Sequence, residues 1–208
     1  LFDDGILINH SSTDGSVDMC RSIAPHWRVI DTALTDFNAA ENDLEVMKHE
    51  AKVDGWKMAL NATEFLVCRP NSLNVILKAL KTEVKSCIQT RGVIMVDNKP
   101  EQIASKQNSL VQQKCHGYVE DEQSYYGKNF SSLRSIYYHY RIDSGKRNSR
   151  KGFRNRIIHS HVTGNYALGR HSTKHNIDRN SEPLYTFWYG FSPWDQEMVL
   201  RKQQFKDR

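Results

Sequence analysis

The chain has 208 residues, a formal net charge of +5 and 38% hydrophobic residues, enough for one good-sized domain with a real core. No apolar run approaches the ~20 residues that span a bilayer and no charged-then-apolar leader opens the chain, so a membrane protein is excluded and no transmembrane segment is expected. Cys20, Cys68, Cys87 and Cys115 form no Cys-x-x-Cys pair, which argues against a zinc ribbon or disulfide framework and for a reduced, cytoplasmic setting.

Taken in chain order, Gly5-Ile-Leu-Ile-Asn9 reads as a short buried strand. A polar turn follows, and a helix is predicted from Thr13, whose hydroxyl suits an N-cap, ending before Pro25. Trp27–Asp31 is a second strand. Leu44, Met47 and Ala51 recur at helical spacing over about 41–53 and predict a helix. A long strand is then expected from Trp56 to Val67, and a helix from Asn71-Ser72 to about Lys81 with Leu73, Ile76, Leu77 and Leu80 inward. Gly92–Val96 is another strand. This alternation of strands and helices predicts an α/β sheet with parallel strands.

The second half is less regular. Residues 98–135 carry no clear period. Tyr137–Ile142 and Arg156–Ile158 predict two strands flanking a basic turn, Gly145–Arg156, which holds six cations and no acid. That turn suits a solvated hairpin, or an anion-facing loop for diphosphate, an acidic acceptor or nucleic acid. The charge is uneven to match. Residues 1–120 carry 13 Lys and Arg against 16 Asp and Glu, a net of −3, and residues 121–208 carry 16 against 8, a net of +8. The aromatic run at 185–194 reads as a seal between the sheet and a last helix, which starts at Ser192-Pro193.

Two polar strand ends stand out. Ile8-Asn9-His10-Ser11-Ser12-Thr13-Asp14-Gly15-Ser16 ends a strand in small polar residues that open a helix, a geometry able to hold a nucleotide. Asn61-Ala62-Thr63-Glu64 interrupts the apolar run from Gly55 to Val67, where a core strand has no packing reason for polar residues. An acid-bearing edge there suits a divalent cation with oxygen ligands. Later, Arg156–His175 contains four of the nine histidines within 17 residues. His159 and His161 point the same way if the strand continues, and neutral imidazole is a good ligand for Mn2+ or Zn2+. Surface histidines without a role are the plain alternative. Arg170 offers a fork of donors for a phosphate.

Ser12-Thr-Asp-Gly-Ser16, followed at similar spacing by Leu60-Asn-Ala-Thr-Glu-Phe-Leu66, resembles the family 2-like glycosyltransferases of the GT-A fold. Their first motif contacts a nucleotide-sugar donor, and their second is Asp-Ala-Asp-Glu, which holds Mn2+ or Mg2+ against the donor's diphosphate. Here Asn9 and His10 stand where acids are usual, and Asn61 and Thr63 replace the two aspartates. The resemblance implies a single GT-A-like (Rossmann-like) domain over 1–208, with a mostly parallel sheet flanked by helices. Its core would span 1–97, and a C-terminal hairpin and helix extension (98–208) would complete the site. The family's first nucleotide-binding strand is missing ahead of Gly5, as in a fragment.

The resemblance further implies sugar transfer from a nucleotide-diphosphate donor to a glycan, lipid or protein acceptor. Asn9, Ser11, Asp14, Asn61 and Arg170 would bind the donor, and Asn61, Thr63, Glu64, His161 and His171 the Mn2+ or Mg2+. Asp121 and Glu122, beside Glu120, are the candidates for the catalytic base, with Asp97 and Asp143 as rivals. A non-catalytic nucleotide-sugar or glycan-binding domain of the same fold is the alternative. A nucleic-acid-binding module is disfavoured by the acidic N-terminal part.

Overall fold

The computed structural model describes residues 2–35, 38–80, 86–96, 110–114, 116–119, 124–126, 137–138, 154–178, 184–190 and 196. The protein is a mixed α/β structure with three sheets among the described residues. Strand β1 (Ile6–Asn9) pairs in parallel with β2 (Arg28–Asp31), and helix α1 (Ser16–Ile23) makes the crossover. Helix α2 (Ala39–Glu50) starts at Asn38, whose side chain accepts hydrogen bonds from Ala40 N and Glu41 N at 3.0 and 3.3 Å, satisfying amides that the first turn leaves unpaired. Thr32 Oγ1 donates to Glu45 at 2.5 Å and ties the end of β2 to α2.

The expected strand from Trp56 to Val67 is two strands in two sheets. β3 (Lys57–Met58) joins β5 (Cys87–Gln89) and β10 (Ile157–His159) in an antiparallel sheet with β10 in the middle. β4 (Glu64–Val67) starts a six-stranded sheet in the order β4-β11-β6-β7-β8-β9. Its other members are β6 (Arg91–Val96), β7 (His116–Val119), β8 (Ser124–Tyr126), β9 (Tyr137–Tyr138) and β11 (Tyr185–Trp188). The polar break at 61–63 is therefore a corner where the chain leaves one sheet for another. Helix α3 (Ser72–Ala79) follows β4, and the short α4 (Leu110–Gln113) precedes β7.

The parallel sheet of the sequence reading is not what the chain builds. Only β1–β2 and β6–β11 run parallel among the described pairs, and the other pairings are antiparallel. The expectation came from counting helices between strands, but β5 and β6 follow one another through Thr90 alone, and β7 to β9 are paired as antiparallel neighbours. The strands flanking the basic turn do not form a hairpin together, since β9 and β10 lie in different sheets.

The aromatic run is also placed differently. Tyr185–Trp188 is not a seal over the sheet but an inner strand of it, with all four residues buried. A strand covered on both faces reads as an unbroken apolar run, which is why its period was not visible. The helix expected from Ser192-Pro193 lies outside the described residues at its start.

Alternation along β4 and β11 separates two cores. Leu66 faces Leu73, Ile76, Ile88, Ile158 and Leu184, with Leu77 and Leu80 of the α3 side packed against them, as the helical spacing predicts. Tyr185 and Phe187 face Val93, Met95 and Tyr189 on the other side. Among the described residues no helix is long and apolar enough to cross a membrane.

Candidate functional site

The first polar strand end is open. At the carboxyl ends of the parallel pair, Asn9 Nδ2 donates to Asp31 Oδ1 at 2.7 Å, and Asn9 Oδ1 accepts from Ser12 N at 3.1 Å. Ser11 turns the chain with φ of 54°. Helix α1 begins at Ser16 rather than Thr13, after Gly15 in the left-handed region (φ 78°), with no side-chain cap. Asp14 Oδ1 instead accepts from Ser16 N at 3.0 Å. The hydrogen bonds from Ser16, side chain first and then backbone, hold the Asp14 carboxyl below its ordinary range. Ser11 and Asp14 are exposed. Asp31 belongs to this edge although sequence reasoning passed over it; its place at the end of the second strand was the available signal.

The second polar edge is closed. Glu64 and Arg156 form an ion pair with both side chains fully buried. Arg156 Nε donates to Glu64 Oε2 at 2.7 Å, Nη2 donates to Oε1, and Nη1 donates to Gly169 O at 2.6 Å. The same carboxylate also accepts from Asn61 N at 2.8 Å and Asn61 Nδ2 at 3.3 Å. Thr63 gives its backbone oxygen to Tyr189 N at 2.8 Å. Glu64 thus begins a strand and satisfies an arginine 92 residues away.

Arg170 does not extend toward a phosphate. Its Nη1 donates to buried Asp43, and its Nη2 donates to Asn61 Oδ1 at 2.6 Å. Asp43 also accepts from Gly169 N at 2.7 Å. Arg170 has a φ of 61°, a conformation disfavoured for a residue with a Cβ; the pair with Asp43 and Asn61 offsets that cost.

The supporting helix buries acids. In α2 the inward residues are Asp43 (5% exposed) and Glu50 (8%), while Leu44 is 55% exposed. Ala51 lies beyond the helix and is exposed too. Two acids seven residues apart share one helical face, and that face meets the loop after β10. Glu50 accepts from Tyr166 Oη and from Gly164 N, the latter at 2.8 Å, and lies 3.4 Å from His159 Nε2. Burial alone would raise the Glu50 carboxyl, but the hydrogen bonds from His159, Tyr166 and Gly164 together bring it below its ordinary value. His159 Nδ1 is buried without a hydrogen-bond partner among the described residues.

The late histidines divide between two groups. His161 stacks on His175, ring centroids 3.7 Å apart and nearly parallel, beside His159. His171 instead lies between two arginines, with Nδ1 3.2 Å from Arg156 Nη1 and Nε2 3.4 Å from Arg154 Nη1. Burial first, and then the charge of Arg156, pushes the His171 imidazole down to about 4. Arg154 lies over the Trp188 ring at 4.0 Å. Gly92 allows this approach, since a Cβ there would meet the Arg154 backbone at 2.4 Å.

Asn61, Glu64, Arg170 and His171 are therefore brought together, through Arg156 and Asp43, while His161 has other neighbours. Asp121 and Glu122, like Glu120, Asp97 and Asp143, lie outside the described residues, as does the basic turn up to residue 153.

As folded, Asn61, Thr63 and Glu64 do not fit Mn2+ or Mg2+. The Glu64 oxygens point into a guanidinium group and an amide, and Asn61 Oδ1 accepts from another guanidinium. Freeing the carboxylate would strand a fully buried arginine, a change that costs about 3–5 kcal/mol. Among the described residues no group of three or more His, Cys, Asp or Glu is placed to hold a metal ion. Compared with known proteins, the chain matches no family model, no curated protein and no solved structure.

Proposed function

We propose that this chain is a GT-A-like, Rossmann-like domain that binds a nucleotide-diphosphate sugar and transfers the sugar to a hydroxyl acceptor. The observation that carries the reading is the parallel β1–β2 pair. Its carboxyl ends are joined by Asn9 and Asp31, and the exposed Ser11–Asp14 loop opens α1 directly in front of them. In α/β sheets such an edge, followed by a helix start, is where nucleotides bind. Asn9 and Asp31 would supply the polar groups for base or ribose, and the exposed Ser11–Asp14 loop the contacts to the phosphates. The late loop, held against α2 by Asp43 and Glu50, lies beside the second edge, where the sugar and acceptor would sit.

A second reading, a binder without catalysis, is favoured by one specific feature: the acid of the second edge is fully committed to Arg156. Nucleoside diphosphates and their sugars, tested by thermal shift, address both readings, because a ligand that binds only the folded state raises the midpoint by mass action. The donor-edge reading expects a rise with at least one base. No rise with any of them would end it. Release of nucleoside diphosphate from the sugar donor, dependent on an acceptor, then separates transferase from binder.

A further inference from the structure

The parallel pair β1–β2 has one protected edge and one open edge. Arg28 N donates to Gly5 O at 3.0 Å, and Thr32 N donates to Asn9 O at 2.9 Å. Gly5, Leu7 and Asn9 therefore turn their backbone groups to β2, because alternate residues of a parallel strand face alternate neighbours. Ile6 and Ile8 turn their N–H and C=O groups to the far side of β1. No strand is paired there among the described residues. The far side of β2 is flanked by exposed charges, Arg28 and Asp31, a common protection of a sheet edge. β1 carries neither a charge nor a proline, and none of Ile6, Leu7, Ile8, Val29 and Ile30 is fully buried. A parallel sheet normally has both faces covered, and two strands alone are marginal in water.

We propose that the β1 edge is an interface between two copies of this chain, joined as antiparallel strands about a two-fold axis at Leu7. The inference goes beyond the donor-edge reading and does not depend on it. A two-fold contact needs a surface that complements itself, and β1 meets that condition in its backbone and in its flanking charges. With Leu7 opposite the second copy's Leu7, Ile6 lies opposite the second copy's Ile8. Those are the residues with free backbone groups, so each Ile6–Ile8 pair exchanges two hydrogen bonds. The opposed isoleucines share one face, and the sheet grows to the order β2-β1-β1-β2. The same register sets exposed Asp4 opposite the second copy's exposed His10, an acid against an imidazole at each end of the seam. Sliding by two residues either way sets Asp4 or His10 against an isoleucine, so the charges favour this register. Because the strands run antiparallel, the two Asn9–Asp31 ends point to opposite ends of the joined sheet.

Sedimentation velocity of the full chain, from micromolar to millimolar concentration, is expected to show a concentration-dependent dimer. Ile8→Pro removes an N–H that only the dimer uses, and proline is tolerated on an edge strand, so the dimer should weaken about tenfold or more. Ile6→Lys, which puts a charge on the open edge, should act in the same direction. Leu7→Cys reads the register directly. Opposed across the axis, the two Cα atoms come about 4.5 Å apart, within reach of a disulfide, and mild oxidation should link the copies. Val29→Cys, on β2, should not link them. A monomer at millimolar concentration would overturn the proposal and leave the edge to an extended segment of another protein. A dimer that survives Ile8→Pro and Ile6→Lys undiminished, or one that oxidation of Leu7→Cys does not link, would overturn it as well. The wild-type sedimentation and the Leu7→Cys linkage decide the matter even if Ile8→Pro fails to fold.

Discussion

The two polar strand ends of this protein have similar sequences and opposite fates. At Asn9–Gly15 the chain meets solvent, and its side chains bond to each other and to their own loop. At Asn61–Glu64 a similar mixture of amide, hydroxyl and acid is closed by Arg156 and Arg170, which arrive from the last third of the chain. A polar break in an apolar run is thus not by itself a site. It becomes an open edge or a sealed corner according to what distant residues bring to it. The burial decides the energetics as well, because an ion pair removed from water makes each partner depend on the other.

The sharpest way to break this comparison is to remove one partner at the closed edge. Arg156→Leu leaves a buried carboxylate and is expected to cost about 3–5 kcal/mol, a fall in Tm of roughly 10 °C for a domain of this size. Combining it with Glu64→Leu should recover most of that loss, since an apolar pair of similar volume needs no partner. Thermal and urea unfolding measure both. A loss below about 1 kcal/mol in the single variant, the value of an exposed pair, would mean the corner is not sealed in solution.

A smaller effect is expected from pH. His171 sits between guanidinium groups, and its imidazole is pushed from 6.5 to about 4 in the folded protein. The unfolded chain therefore takes up the proton first. Its contribution to stability is complete above 6.5, declines as the pH falls below that value, and is lost below about 4. His171→Asn should flatten the fall of Tm between those limits. An unchanged slope in the variant would show that His171 stays in water rather than in the arginine cluster.

The smallest effect on stability is expected at the open edge. Asn9→Ala removes an exposed hydrogen bond and should cost about 1 kcal/mol or less. Nucleoside diphosphate binding should nonetheless weaken. A large loss of stability without loss of binding would reverse the roles assigned to the two edges.

The local elements were legible in the sequence where their residues answer to near neighbours. β1, β2, α3 and β6 lie close to their expected places, because β-branched runs and the spacing of Leu73 and Ile76 report faces that neighbouring elements cover. Helix α2 also lies close to its expected place. Leu44 and Met47 mark an apolar stripe, yet the helix buries Asp43 and Glu50 because Arg170, Gly169, Tyr166 and Gly164 satisfy them. The signal was two acids two turns apart on one face, and it has meaning only with the loop in view. Cys87 repeats the lesson at a smaller scale: burial first, and the Asp178 charge second, push its thiol up to about 12, which spacing alone does not reveal.

What the sequence determined by itself is a mixed α/β chain with two polar strand ends, a basic stretch and a histidine-rich loop. Those features follow from side-chain chemistry and short-range period. Only the tertiary structure decided that Trp56–Val67 is two strands, that most pairings are antiparallel, and that Glu64 belongs to Arg156. Strand partners and ion pairs across 92 residues depend on which surfaces meet. A buried charge is tolerated only where its partner is also delivered, and that condition is written in three dimensions rather than along the chain.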